Sequence, residues 1–137
     1  MEKDKMISLK GKGVSNLSPL VLAFIGDAVY SLYVRTKIIE RGDKKLAILN
    51  EEAVKYVKAS SQAKSLEKIY DFLTEEEKEI VRRGRNAKTS TVPKGSSVRE
   101  YRYATAFEAL VGYLYLLERL DRLYFLLQLA MEYSEDG

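Results

Sequence analysis

Residues 22–35 read LAFIGDAVYSLYVR, an almost wholly apolar stretch with one carboxylate, Asp27, near its middle. Apolar side chains recur at too many angles around a helical wheel for a helix with one wet face. The stretch therefore predicts a helix buried on most sides. An ionised carboxylate in such a setting costs several kcal/mol unless something compensates it. A second stretch, Tyr103–Leu117 (YATAFEALVGYLYLL), repeats the pattern, with Glu108 as its only charge. Two central helices, each carrying one isolated carboxylate, set the chemical problem that the rest of the chain has to answer.

The answer is narrowed by what the chain lacks. It contains no Cys and no His, which removes thiol nucleophiles, disulfides, imidazole bases and the usual zinc ligands. Acid–base or metal chemistry must rest on Asp, Glu, Lys, Tyr or water. With 137 residues and 46% hydrophobic content, residues 1–137 are expected to form one domain with a real core. The absence of Cys fits a cytoplasmic protein. The start, MEKDKMISLKGKG, is basic but has no apolar run, so it does not read as a signal peptide. The longest apolar stretch, Leu17–Val34, carries Asp27 and Pro19, which argues against a membrane span.

Local signals predict an all-α chain of roughly six to seven helices with short connections, and no alternating strand pattern. Residues 1–16 read as a loose lead-in. Ser18 is a plausible N-cap with Pro19 at the first helical position. That helix should run to about Arg41, where Gly42 stops it. Asp43 is expected to cap the next helix, and Ser60 or Ser61 to restart the chain after it. Thr74 followed by Glu75, Glu76 and Glu77 is a capping box that opens a helix ending in Arg82–Arg85. Asn86–Ser97 (NAKTSTVPKGSS) is loop by composition. Ser97 then caps the second central helix, which should reach about Glu118, and a last helix covers roughly Asp121–Tyr133. Gly26 adjoins Asp27, and Gly112 lies one turn beyond Glu108. Interior glycines cost about 1 kcal/mol each against Ala, so both are expected to permit close helix contact beside the carboxylates.

A basic partner within the apolar stretches would make two buried acids tolerable, but neither stretch offers one in its centre. One acid could be protonated, since like charges raise a pKa. The pair could instead bind a hard divalent cation. Mg²⁺ takes one or two carboxylates and keeps other positions for water and phosphate oxygens. The bland alternative is that each acid is satisfied locally and the two never meet; from spacing alone these readings stand level. Charge patterning tips the balance towards metal. Between Arg82 and Arg102 lie seven Lys and Arg residues against Glu100 alone, although the whole chain carries only +3. A one-signed, Arg-rich run broken by a loop favours a phosphate-bearing partner.

LAFIGDAV at Leu22–Val29 resembles the signature helix of the ribonuclease III family, and ATAFEALVGYLYL at Ala104–Leu116 resembles its second acidic motif, in the same order and spacing. With RRGRNAK at Arg82–Lys88, the whole chain is similar to the stand-alone nuclease domains of the mini-ribonuclease III type. The resemblance implies a helical endonuclease domain without a following double-stranded-RNA-binding domain, working as a homodimer. Asp27 and Glu108 would be its catalytic and metal-holding residues, and the cofactor Mg²⁺, with Mn²⁺ as a substitute. It also implies cleavage of duplex RNA in maturing the precursor of large-subunit (23S) ribosomal RNA. RNA would be gripped by Arg82, Arg83, Arg85, Asn86, Lys88, Lys94, Arg99 and Arg102. Lys58 and Gln62 come second, with solvated surface their preferred reading. Phe24, Tyr30 and Tyr33 are candidates for the dimer interface or for intramolecular core. Archetypal ribonuclease III enzymes carry acids at the positions of Ala23 and Thr105. Their loss here implies one cation with few protein ligands and many waters.

Two other classes remain open at this stage. One is a non-catalytic helical RNA-binding or ribosome-assembly factor whose acids are structural. The other is a purely structural interaction domain, to which duplex RNA would not bind. A small-substrate phosphohydrolase is disfavoured by the missing His ligands.

Overall fold

The computed structural model describes residues 13–87 and 97–135, with side chains through 132. Six α-helices span them: α1 Pro19–Glu40, α2 Leu46–Val57, α3 Ala59–Ile69, α4 Glu75–Arg85, α5 Val98–Leu116 and α6 Leu120–Glu135. A short 3₁₀ turn, Val14–Asn16, precedes α1, another, Tyr70–Phe72, links α3 to α4, and no strand occurs among the described residues. The expected lead-in before residue 13 and most of the expected Asn86–Ser97 loop, with Lys88 and Lys94, lie outside the described residues.

The helix starts follow cap chemistry. Ser18 Oγ accepts from Val21 N ahead of Pro19. Thr74 and Glu77, and Ser97 and Glu100, form two reciprocal capping boxes that open α4 and α5. α1 ends at Glu40, and Gly42 follows with φ 142°, a conformation open to Gly and strained for other residues. Asp43 does not cap α2. The N-cap is Lys45, whose side chain makes no capping bond. Neither Ser60 nor Ser61 starts α3: Lys58, in an extended conformation, closes α2 and opens α3 in one residue.

α5 is the true centre. From Ala104 to Leu114 every side chain except Glu108 is buried, and α1, α3 and α4 pack around it. The α1–α5 contact is the most extensive in the fold. It is set by Gly26 and Gly112. A Cβ on Gly26 would sit against the Glu108 carbonyl, 2.7 Å from its carbon and 2.8 Å from Gly112 N. One on Gly112 would lie 2.9 Å from the carbonyl carbon of Leu22. The two backbones therefore touch next to Asp27 and Glu108. Gly84 does the same for α4, where a Cβ would meet Ala106 Cα at 2.8 Å.

α1 is not buried on most sides. Leu22, Tyr30, Val34 and Ile38 enter the core, while Phe24 is 83%, Leu32 63% and Ile39 60% exposed. Its all-round apolarity thus serves two surfaces, one against α5 and one open. At the far end of α5, Glu77 of the first capping box is 2% exposed and takes Arg122 of α6 in a paired contact at 2.8 Å. Burial pushes the Glu77 carboxyl up, but the Arg122 guanidinium and the Thr74 backbone outweigh it and hold the group below its ordinary value. A charge so buried is tolerable because every oxygen is hydrogen-bonded.

Candidate active site

The close α1–α5 approach brings Asp27 and Glu108 together. A side-chain hydrogen bond links the two carboxyls. Asp27 is exposed and Glu108 half-buried, so the expectation that both acids are buried is corrected: the pair opens to solvent through Asp27. Burial pushes the Glu108 carboxyl up to about 8, with the Asp27 charge and the hydrogen bond to Asp27 adding to the rise. With its carboxyl raised this far, Glu108 keeps its proton at neutral pH unless a cation replaces it.

The third member of the site is Gln62 of α3, which is 2% exposed. Its Nε2 donates to the Val57 carbonyl at 2.7 Å and to Glu108 Oε2 at 3.3 Å. Its placement overturns the reading of Gln62 as solvated surface. The sequence signal was faint: a Gln at the start of a short amphipathic helix looks like any surface polar residue until the α3–α5 packing turns it inward. Lys58 stays exposed. Thr105, one turn before Glu108, is buried and donates its hydroxyl to the Tyr101 carbonyl. Ala23 is buried in the core. Neither adds a ligand, and no group of three or more acidic, Cys or His residues suited to a metal occurs among the described residues.

These residues fit a hard divalent cation. Two carboxylates from different helices meet, and among the described residues the side chains acting on Glu108 are Asp27 and Gln62, neither of them cationic. A hard divalent cation such as Mg²⁺ would supply positive charge there, with few protein oxygens and the rest water.

The basic segment divides. Arg83 is half-buried, and its guanidinium donates to the Ser15 and Leu17 carbonyls, each at 3.0 Å. These bonds tie α4 to the entry of α1, a structural contact that the sequence reading did not include. Arg82 is exposed and pairs with Glu79 one turn away at 2.6 Å. Asn86 is exposed at the end of α4. Arg85 and Arg99 line one open cleft with Tyr70 and Tyr103, where Arg99 lies 4.4 Å over the Tyr103 ring and 3.1 Å from Glu67. Arg102 is exposed. At 100° per residue, Arg99 falls about half a turn round α5 from Glu108, on the other side of that helix from the acid pair.

Of the interface candidates, Phe24 is open to solvent, Tyr33 half-buried, and Tyr30 only 1% exposed. Tyr30 packs edge-on against Phe107, ring centres 4.9 Å apart. It is core, because its position on α1 points at α5.

Comparison with known proteins agrees with this geometry. Residues 20–119 match the family model of the ribonuclease III domain. The chain is 56% identical to a Mini-ribonuclease 3 of Thermoanaerobacter sp., over 99% of this chain and all of that protein. It is 46% identical to one of Symbiobacterium thermophilum, over 88% of this chain and 93% of the relative. An X-ray crystal structure of a Fusobacterium nucleatum protein superposes with a TM-score of 0.81 at 33% identity, covering 89% of this chain and 99% of that one. No helix of the described residues is long and apolar enough to cross a membrane. A match that spans both acidic helices and the packing between them establishes that the chain belongs to the ribonuclease III family and is a ribonuclease.

Proposed function

We propose that this protein is a Mg²⁺-dependent endonuclease of double-stranded RNA, acting on the precursor of 23S ribosomal RNA, with Asp27 and Glu108 holding the cation. The observation that carries the reading is the carboxyl pair, set at a glycine-made helix contact, with no cationic group of the described residues acting on Glu108. A bound divalent cation would polarise a phosphoryl oxygen and acidify a water at neutral pH. Mn²⁺, which accepts the same oxygen ligands, is the substitute. The chain's own contribution is charge and position. Asp27 and Glu108 provide anionic oxygens on a rigid pair of helices, and Gln62 restrains Glu108 from the α3 side. Without Cys or His the site offers no ready activated nucleophile, which supports direct hydrolysis over a covalent intermediate. The cysteine-free chain suits the reducing cytoplasm.

An A-form duplex presents shape, phosphates and 2′-hydroxyls. Arg82, Arg85, Asn86, Arg99 and Arg102, with Lys88 and Lys94 between them in sequence, are assigned to its phosphates. Replacing Arg82, Arg99 and Arg102 together with Ala should weaken binding to all duplex sequences alike. It should also reduce the salt slope by roughly one for each phosphate that is no longer neutralised. Titration of duplex affinity against salt checks this, and an unchanged slope places the grip elsewhere.

Cleavage of both strands calls for two sites, hence a homodimer. The open face of α1 carries Phe24, and the same helix lines an apolar groove of about 510 Å³ through Ala28, Leu32 and Tyr33, with Leu120 and Tyr124 of α6. A large exposed aromatic next to an apolar groove is a self-complementary surface for a two-fold contact. Sedimentation at micromolar concentration should give twice the single-chain mass, and Phe24→Glu should give a folded monomer that no longer cuts both strands. The decisive assay for the function is incubation with long duplex RNA, with and without Mg²⁺, and sizing of the products. Metal-dependent shortening supports the endonuclease; binding without cleavage supports a non-catalytic RNA-binding factor.

A further inference from the structure

We infer that Gln62 is a positioning residue for Glu108, holding its carboxylate in register with Asp27 from the junction of α2 and α3. This rests on the proposed metal-dependent nuclease reading and names a residue outside the carboxyl pair on which that site depends.

The geometry fixes which way the amide faces. A carbonyl can only accept, so the atom 2.7 Å from Val57 O must be the nitrogen. One hydrogen is thereby spent on the last carbonyl of α2. The other is left for Glu108 Oε2 at 3.3 Å, a long bond for this type. The oxygen, Oε1, is buried with no hydrogen-bond partner among the described residues. Leaving an acceptor buried and unpaired is costly, and an apolar residue would avoid it. The amide is therefore poorly explained by stability alone, and its nitrogen is the part that bridges two elements. Val57 closes α2, and Lys58 joins it to α3 in one residue, so the anchor is a short connection with little freedom. Gln62 thus acts through Glu108 and is not placed to touch substrate itself.

The test uses full-length Gln62→Met, which keeps length and loses the donor, and Gln62→Asn, which keeps the amide but is too short to span both partners. Three readouts are compared with wild type: Mn²⁺ affinity by titration, duplex-RNA affinity without added metal, and single-turnover cleavage at saturating RNA and Mg²⁺. Both variants should bind Mn²⁺ at least about fivefold more weakly and cut at least about tenfold more slowly, a size typical of groups that orient metal ligands. RNA affinity should stay within about twofold, because no phosphate-binding group changes. Glu108→Gln combined with Gln62→Met should bind Mn²⁺ no more weakly than Glu108→Gln alone, since the same carboxylate is already gone. If either folded variant matches wild type in Mn²⁺ affinity and cleavage rate, Gln62 is only a packing residue and the inference is overturned. If Gln62→Met does not fold, Gln62→Asn decides. Failure of the nuclease reading itself is separate: wild type would then neither bind Mn²⁺ nor cleave.

Discussion

Asp27→Asn and Glu108→Gln should each lower duplex-RNA cleavage by more than about a thousandfold, the scale on which a centrally placed catalytic group is felt. Each substitution keeps the side chain's volume and removes the charge a cation needs. Fold should survive, because neither residue supports the core: Asp27 is exposed and Glu108 is half-buried beside a carboxyl that repels it. Stability supplies an independent check with a definite sign. The Glu108 carboxyl stands at about 8 in the folded protein against an ordinary value of 4.5. A carboxyl raised on folding contributes stability below its unfolded value, and that contribution is lost as pH rises through the folded value. Metal-free wild type should therefore melt lower at pH 9 than at pH 6, insofar as this site governs the change. Glu108→Gln, which imitates the protonated acid, should remove that part of the loss. Added Mg²⁺ should restore wild type at pH 9 by binding the folded state alone, and should do little for the variant. Cleavage at near wild-type rates by either variant would show that the acid pair is not the metal site.

The second large effect belongs to Gly26. Gly26→Ala places a methyl group against the Glu108 carbonyl, 2.8 Å from Gly112 N. No flexible side chain is in the way to yield; the obstruction is backbone on both sides. α1 must move off α5, and the largest helix contact of the fold moves with it. Overpacking typically costs 1–3 kcal/mol and occasionally more; with rigid backbone as the neighbour, about 3 kcal/mol or above is expected. That is a fall in melting temperature of roughly 10 °C or more for a chain of this size. Activity should fall further than the folded fraction does, because Asp27 follows Gly26 directly and shifts with it. Thermal melts paired with cleavage rates corrected for folded fraction check both halves. Gly42→Ala makes a useful contrast: a Cβ there meets nothing within 4 Å, and the cost comes only from φ at 142°. It should destabilise without a separate loss of cleavage.

Sequence alone determined the parts of this protein that are written in short-range chemistry. Helix type followed from apolar spacing, and the starts of α1, α4 and α5 followed from Ser18, Thr74 and Ser97, because a cap and its partner are at most three residues apart. Asp27 and Glu108 stood out because a lone charge in an apolar stretch is visible without knowing what surrounds it, and the two glycines beside them pointed to close packing. Where the local signal was ambiguous it misled: Asp43 is a good cap by residue type, but the chain reaches helical geometry two residues later. Tertiary structure decided what depends on which face meets which neighbour. An all-round apolar helix reads the same whether its last face meets core or stays open, and α1 turned out to keep Phe24 and Leu32 outside. A basic residue reads the same on a surface or as a strut, and Arg83 proved to be a strut for the Ser15 and Leu17 carbonyls. Gln62 had only a faint local signature, that of any polar residue near a helix start. Its contact with Glu108 joins residues 46 positions apart, and only the packing of α3 on α5 brings that amide to the carboxyl pair.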